Sequence, residues 1–141
     1  MAILHFGQVQ NRLSEVMLQA AFKVHKNLGP GLLEGAYSQC LFHELRKLGL
    51  SVDRDIELPL KYQEAQMDLK FRIDMVVEGK IVLLTKSVDQ LTDLHTAELQ
   101  THLMVTECEM GFLLNFNVTS LKSGVRRVIH RSDGSCNLAV S

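Results

Sequence analysis

Residues 72–88, RIDMVVEGKIVLLTKSV, are two apolar runs broken by Glu78-Gly79-Lys80. A glycine-centred gap of this length between runs rich in β-branched residues predicts a tight hairpin turn. The first arm begins near Gln66 and alternates Leu69, Phe71 and Ile73 against Lys70, Arg72 and Asp74. The second arm, Ile81 to Thr85, is apolar on both faces, as a strand in the interior of a helix-covered sheet is. Helices on a sheet make an α/β domain. The same stretch sets an acid, Asp74, and a lysine, Lys86, where its strands are expected to be buried.

Upstream, Leu13, Val16, Met17, Ala20, Ala21, Val24 and Leu28 recur at three- and four-residue steps, one face of a helix. The turn NLGPGLLE stops it, because Gly29 and Gly31 let the backbone reverse and Pro30 cannot continue a helix. A second helix is predicted over roughly Glu34 to Leu48, with Tyr37, Leu41, Leu45 and Leu48 inward and Gly49 as its C-terminal stop. Val52, Ile56, Leu58 and Leu60 alternate around Pro59, which confines that strand to an edge. Downstream, Leu91, Leu94, Leu99 and Leu103 return to helical spacing, and GFLLNFNV and SGVRRVIH read as two closing strands. The order is helix, helix, three strands, helix, two strands: one domain over 1–130, followed by a polar, loose tail over 131–141.

The chain has 141 residues, 46% apolar and 22% charged, with a net charge of −1. That is one globular domain with a core of its own and no overall field to attract a polyanion. No apolar run reaches the ~18 residues of a membrane span. The start, MAILHFGQVQ, lacks a signal peptide's basic and long apolar segments, which points to the cytosol. Cys40, Cys108 and Cys136 are widely spaced and suggest neither zinc nor a disulfide framework. The histidines form no H-x-x-x-H pattern, and GPGLLEG lacks the Lys-Ser/Thr of a phosphate-binding loop, so no nucleotide cofactor is expected.

Four residues are candidates for chemistry: Glu34 opening the second helix, Asp74, Lys86, and Glu98 on the third helix. A buried carboxylate is costly unless it meets a cation, a metal or donors. Asp74 has a plainer reading as one of an exposed face with Lys70 and Arg72, and Lys86 as a lysine extending out of the strand end. Adjacent antiparallel strands can bring the two together, and carboxylates holding a divalent metal beside a lysine suit phosphodiester hydrolysis. Lys122, Arg126, Arg127, His130 and Arg131 form a basic cluster able to touch phosphates, or simply a charged strand edge.

The segment HKNLGPGLLEGAYSQCLFHEL contains Gly31-x-x-Glu34-x-x-Tyr37. With FRIDMVV, IVLLTKSV, HTAEL and GFLLNFNV…LKSGVRRVIH, it resembles the GxxExxY family of the PD-(D/E)XK nuclease superfamily over about residues 11 to 130. The resemblance implies a restriction-endonuclease-like core, a mixed β-sheet flanked by helices, and a Mg²⁺ or Mn²⁺ site at one sheet end. Glu34 and Asp74 would be metal-binding acids, the Thr85 carbonyl a further ligand, and Lys86 the residue that positions water. Two departures stand out. The acid expected two before Lys86 is Leu84, and the Gln and Tyr expected on the third helix are Glu98 and His102. Glu98 could take over from the missing acid. Two functions therefore follow from the resemblance: a metal-dependent nuclease acting on nucleic acid, or a catalytically silent relative that binds nucleic acid, through 122–131, or protein. A homo-oligomer through apolar edge strands is compatible with both.

Overall fold

The computed structural model describes residues 2–130 and 138–140, of which 2–10 and 138–140 are backbone only. The apolar run that suggested an interior strand forms β3 (Ile81–Lys86). It lies antiparallel to β2 (Ala65–Val77) on one side and parallel to β4 (Met110–Asn115) on the other. β1 (Val52–Tyr62) pairs antiparallel with β2, and β5 (Val125–His130) antiparallel with β4. β6 (Leu138–Val140) adds a sixth strand, for an order β1-β2-β3-β4-β5-β6. Pro59 does sit on the edge strand, and the β1/β2 register shifts between Pro59 and Lys61.

Side chains of β3 alternate between two cores, as the pleat requires. Ile81 and Leu83 join Met75, Phe112 and Leu114 beneath α1 (Ala2–Leu28) and α2 (Glu34–Lys47). Val82 and Leu84 join Ile73, Leu113 and Val128 beneath α3 (Asp93–Thr106). The result is a helix–sheet–helix sandwich and a restriction-endonuclease-like α/β fold. α3 comes close because β4 carries Gly111, where an added Cβ would lie 2.8 Å from Leu99 Cδ1 and 3.1 Å from Leu103 Cδ2.

The expected turn is present, with Glu78 and Gly79 both at positive φ (54° and 63°) and the Lys80 N–H donating to the Val77 carbonyl. This is the twist a two-strand hairpin favours. Ser51 N–H donates to Glu78 Oε2 at 2.5 Å, which holds a non-glycine residue in that conformation.

Several expectations need correction. α1 begins at Ala2, not Leu13, and its buried stripe is Met17, Ala20, Ala21 and Val24, leaving Val16 and Leu28 partly exposed at its margins. Leu94 is 81% exposed and contributes nothing to the core of α3, and Leu69 stands out at the far end of the hairpin. Leu138–Val140 is a strand within the segment expected to be loose, while Arg131 and Cys136 lie outside the described residues. Cys40 and Cys108 are free thiols. Among the described residues no helix is long and apolar enough to cross a membrane.

Candidate functional site

The turn before α2 sets the position of Glu34. Gly29 and Gly31 have φ of 67° and 100°, a region L-residues avoid. Tyr37, fully buried, donates its hydroxyl to the Gly29 carbonyl at 2.6 Å and accepts from Leu32 N–H at 3.1 Å. Its ring stacks on Phe116 with centroids 4.6 Å apart. Gly31, Glu34 and Tyr37 thus act as a unit: the glycine reverses the chain, the tyrosine pins the turn, and the acid opens the helix, where free N–H groups favour negative charge. Ser87 Oγ donates to the Leu32 carbonyl at 2.6 Å and ties this turn to the end of β3.

The strands supply the second acid. β2 and β3 pair as far as Met75↔Leu83, and there the ladder ends. The next free N–H on β3, that of Thr85, donates instead to Asp74 Oδ2 at 3.3 Å. The other oxygen, Oδ1, lies 3.5 Å from Arg72 Nη2. Asp74 occupies the fork where two strands part, with its side chain only 12% exposed. The solvated-face reading is therefore incorrect.

Glu34, Asp74 and Thr85 share one open cleft of about 270 Å³, whose walls include Ser38, Arg54, Asp55 and Arg72. Burial raises the Glu34 carboxyl above its ordinary value. Lys86 opposes that shift, while the nearby charges of Asp74 and Glu98 add to it. Burial also raises Asp74, against the lowering effects of the Thr85 N–H, Arg72, Lys86 and His102. Carboxylates whose ionised form is disfavoured, gathered in a cleft, are a common mark of a functional site.

Lys86 does not reach out to solvent. Its side chain is 14% exposed and its Nζ lies 2.9 Å from Glu98 Oε1. Leu84, 1% exposed, belongs to the apolar layer under α3. His102, one helical turn beyond Glu98, is 5% exposed with Nδ1 buried and unpartnered. Burial lowers its value and favours the neutral imidazole. His95 Nδ1 accepts from Thr92 N–H and caps α3. The cleft therefore brings together Glu34, Asp74 and Thr85, with Lys86 near enough to influence both acids. Lys122, Arg126 and Arg127 are not among its lining residues. Arg126 donates to Thr96 Oγ1 at 2.7 Å, bracing α3 against β5. As neighbours on a strand, Arg126 and Arg127 take opposite faces, so the basic cluster is not one surface.

Sequence reasoning missed Arg54, Asp55 and Ser38 in the cleft. Arg54 and Asp55 fall inside an alternating strand, where polar residues carry no signal beyond exposure.

A family model for the PD-(D/E)XK nuclease superfamily matches residues 11–128. The chain belongs to that superfamily. The matched span takes in every described element except the first turns of α1, the end of β5 and all of β6. No curated protein and no solved structure matches it. In this PD-(D/E)XK chain the mixed sheet with helices on both faces is a restriction-endonuclease-like α/β fold.

The cleft's donors suit a hard cation that takes much of its coordination from water and phosphate. Glu34 and Asp74 supply carboxylates, and Thr85 Oγ1 is buried without a partner. Among the described residues no three His, Cys, Asp or Glu side chains are grouped to hold an ion.

Proposed function

We propose that this protein is a nuclease-like hydrolase of nucleic-acid phosphodiester bonds, dependent on Mg²⁺ or Mn²⁺, and a member of the GxxExxY family through Gly31, Glu34 and Tyr37. One observation carries the reading: Glu34 and Asp74 come from different elements into one cleft, and burial disfavours the ionised form of both. Two acids held at such a cost call for a cation. Glu34, Asp74 and the Thr85 carbonyl would hold it. A divalent ion at such a site acidifies bound water and offsets phosphate charge. Asp74 is fixed by Thr85 N–H and Arg72, so it can bind without first being ordered. Lys86 places a positive charge beside both acids, where it can orient water and stabilise charge developing on phosphate. Glu98 is the partner of Lys86 and keeps that charge in position, which supports a positioning role rather than the ligand role expected from the departure at Leu84.

A second reading, a silent nuclease-fold module that binds nucleic acid or protein, is favoured by the burial of Leu84 where the superfamily has an acid. Incubation of single- and double-stranded DNA and RNA with Mg²⁺ or Mn²⁺ separates the two. We expect slow metal-dependent cleavage that disappears in Asp74→Ala. Absence of cleavage from all substrates, with the wild type folded, would establish the silent module.

A further inference from the structure

Two arginines, Arg54 and Arg72, line the cleft that holds Glu34 and Asp74. Both reach toward Asp55. Arg72 Nη1 is 3.3 Å from Asp55 Oδ1, and Arg54 Nη2 is 3.8 Å from Asp55 Oδ2. The second terminal nitrogen of Arg72 faces Asp74 Oδ1 at 3.5 Å, so one guanidinium spans Asp55 and the site acid. Arg54 sits over the Phe42 ring, its Cζ 4.8 Å from the centroid, and its buried Nε has no partner. A guanidinium braced over an aromatic face and already turned toward a carboxylate is preorganised for an anion.

Asp55 itself is 52% exposed on its side chain and has a φ of 49°, an unusual conformation for a non-glycine residue. Its carboxylate contributes little as an ion pair at that exposure. It occupies the place between the two guanidiniums that an outside anion would take.

We propose that Arg54 and Arg72 form a phosphate subsite in the cleft wall, and that Asp55 fills it in the free protein and is displaced by a phosphodiester. Ser38, on α2 in the same cleft, adds a hydroxyl donor. The ligand is a phosphate of a nucleic-acid backbone, bound one guanidinium's width from Asp74. The subsite deepens the nuclease reading and rests on it for the identity of the ligand, but its anion chemistry can be tested without cleavage.

Two probes are used in EDTA: inorganic pyrophosphate, followed by the NMR shift of the Arg54 Nε–H, and a fluorescent 12-nucleotide strand, followed by anisotropy at low salt. Asp55→Asn tolerates the positive φ and removes the competing charge, and should tighten pyrophosphate about twofold to fivefold, as expected for loss of an exposed pair. Arg54→Gln should weaken it about tenfold, the lower end for a charged hydrogen bond. Arg54→Lys keeps the charge without the fork and should recover only part of the affinity, with unchanged thermal stability confirming the fold. Lys122→Gln should have no effect. Pyrophosphate binding with this mutant pattern, but no cleavage in Mg²⁺, would uphold the subsite while the catalytic reading falls. An Arg54 Nε–H that does not move with pyrophosphate would overturn the subsite. So would oligonucleotide affinity that is insensitive to Asp55→Asn and Arg54→Gln, even with cleavage intact.

Discussion

Asp74 is where the chain accepts a local cost. Its carboxyl titrates above the ordinary value because burial outweighs the Thr85 N–H and Arg72. With a raised folded-state value, its contribution to stability is complete below the unfolded value and is lost as pH rises through the folded one. Asp74→Asn, whose amide oxygen can still accept from Thr85, should therefore melt higher than the wild type at pH 7. The two should converge below about pH 4, as calorimetry across pH would show. Millimolar Mg²⁺ should raise the melting temperature of the wild type and leave Asp74→Asn unmoved, because only a ligand that binds the native state stabilises it. Equal responses from the two proteins would remove Asp74 from the metal site. Leu84 behaves in the opposite way. It is ordinary core, and Leu84→Ala should cost about 3 kcal/mol in urea unfolding.

Elements position these residues, and their contacts can be tested separately. Gly111 lets α3 lie close on β4, so Gly111→Ala must push Leu99 and Leu103 outward and should cost about 1–3 kcal/mol by denaturant unfolding. Tyr37→Phe leaves the Gly29 carbonyl and Leu32 N–H without their partner and should cost about 1–3 kcal/mol. It should also weaken the Mg²⁺ thermal shift, because the turn that presents Glu34 is loosened. Much of this scale was legible in the sequence. Pro59 named the edge strand, the two-faced run at 81–85 named the interior one, and Gly79 named the turn. The illegible parts have physical causes. The first turns of α1 mix apolar and polar residues without a clean stripe, and Leu138–Val140 is too short for periodicity. Leu94 fits the helical spacing yet lies at the helix start, beyond the sheet it was expected to cover.

At the scale of the whole molecule, a net charge of −1 provides no long-range pull on a polyanion. Affinity for random duplex at ~150 mM salt should be weaker than micromolar, with a shallow salt dependence that reflects only a few phosphate contacts. Filter binding across a salt series checks this, and a steep slope would point to a broad basic surface instead. The same scale limits what a sequence can reveal about a site. Glu34, Asp74 and Lys86 were legible because charge in an apolar or capping context is unusual. Adjacent strands already suggested that Asp74 and Lys86 meet, joining Glu34 to them needed the resemblance, and the pairing of Lys86 with Glu98 needed coordinates. The basic run at 122–131 suggested a surface, but Arg126 turns inward to Thr96. A linear cluster does not record which face each residue takes.

The packing around Leu84 also constrains how the cleft could be redesigned. With leucine sealed beneath α3 and Glu98 already committed to Lys86, placing glutamate at 84 alone would bury an unmatched charge beside an occupied lysine. The simultaneous exchange Leu84→Glu with Glu98→Gln frees the lysine as the acid arrives. The two changes are therefore expected to be non-additive: Leu84→Glu should destabilise the fold more beside Glu98 than beside Glu98→Gln, as a double-mutant cycle in urea unfolding would show.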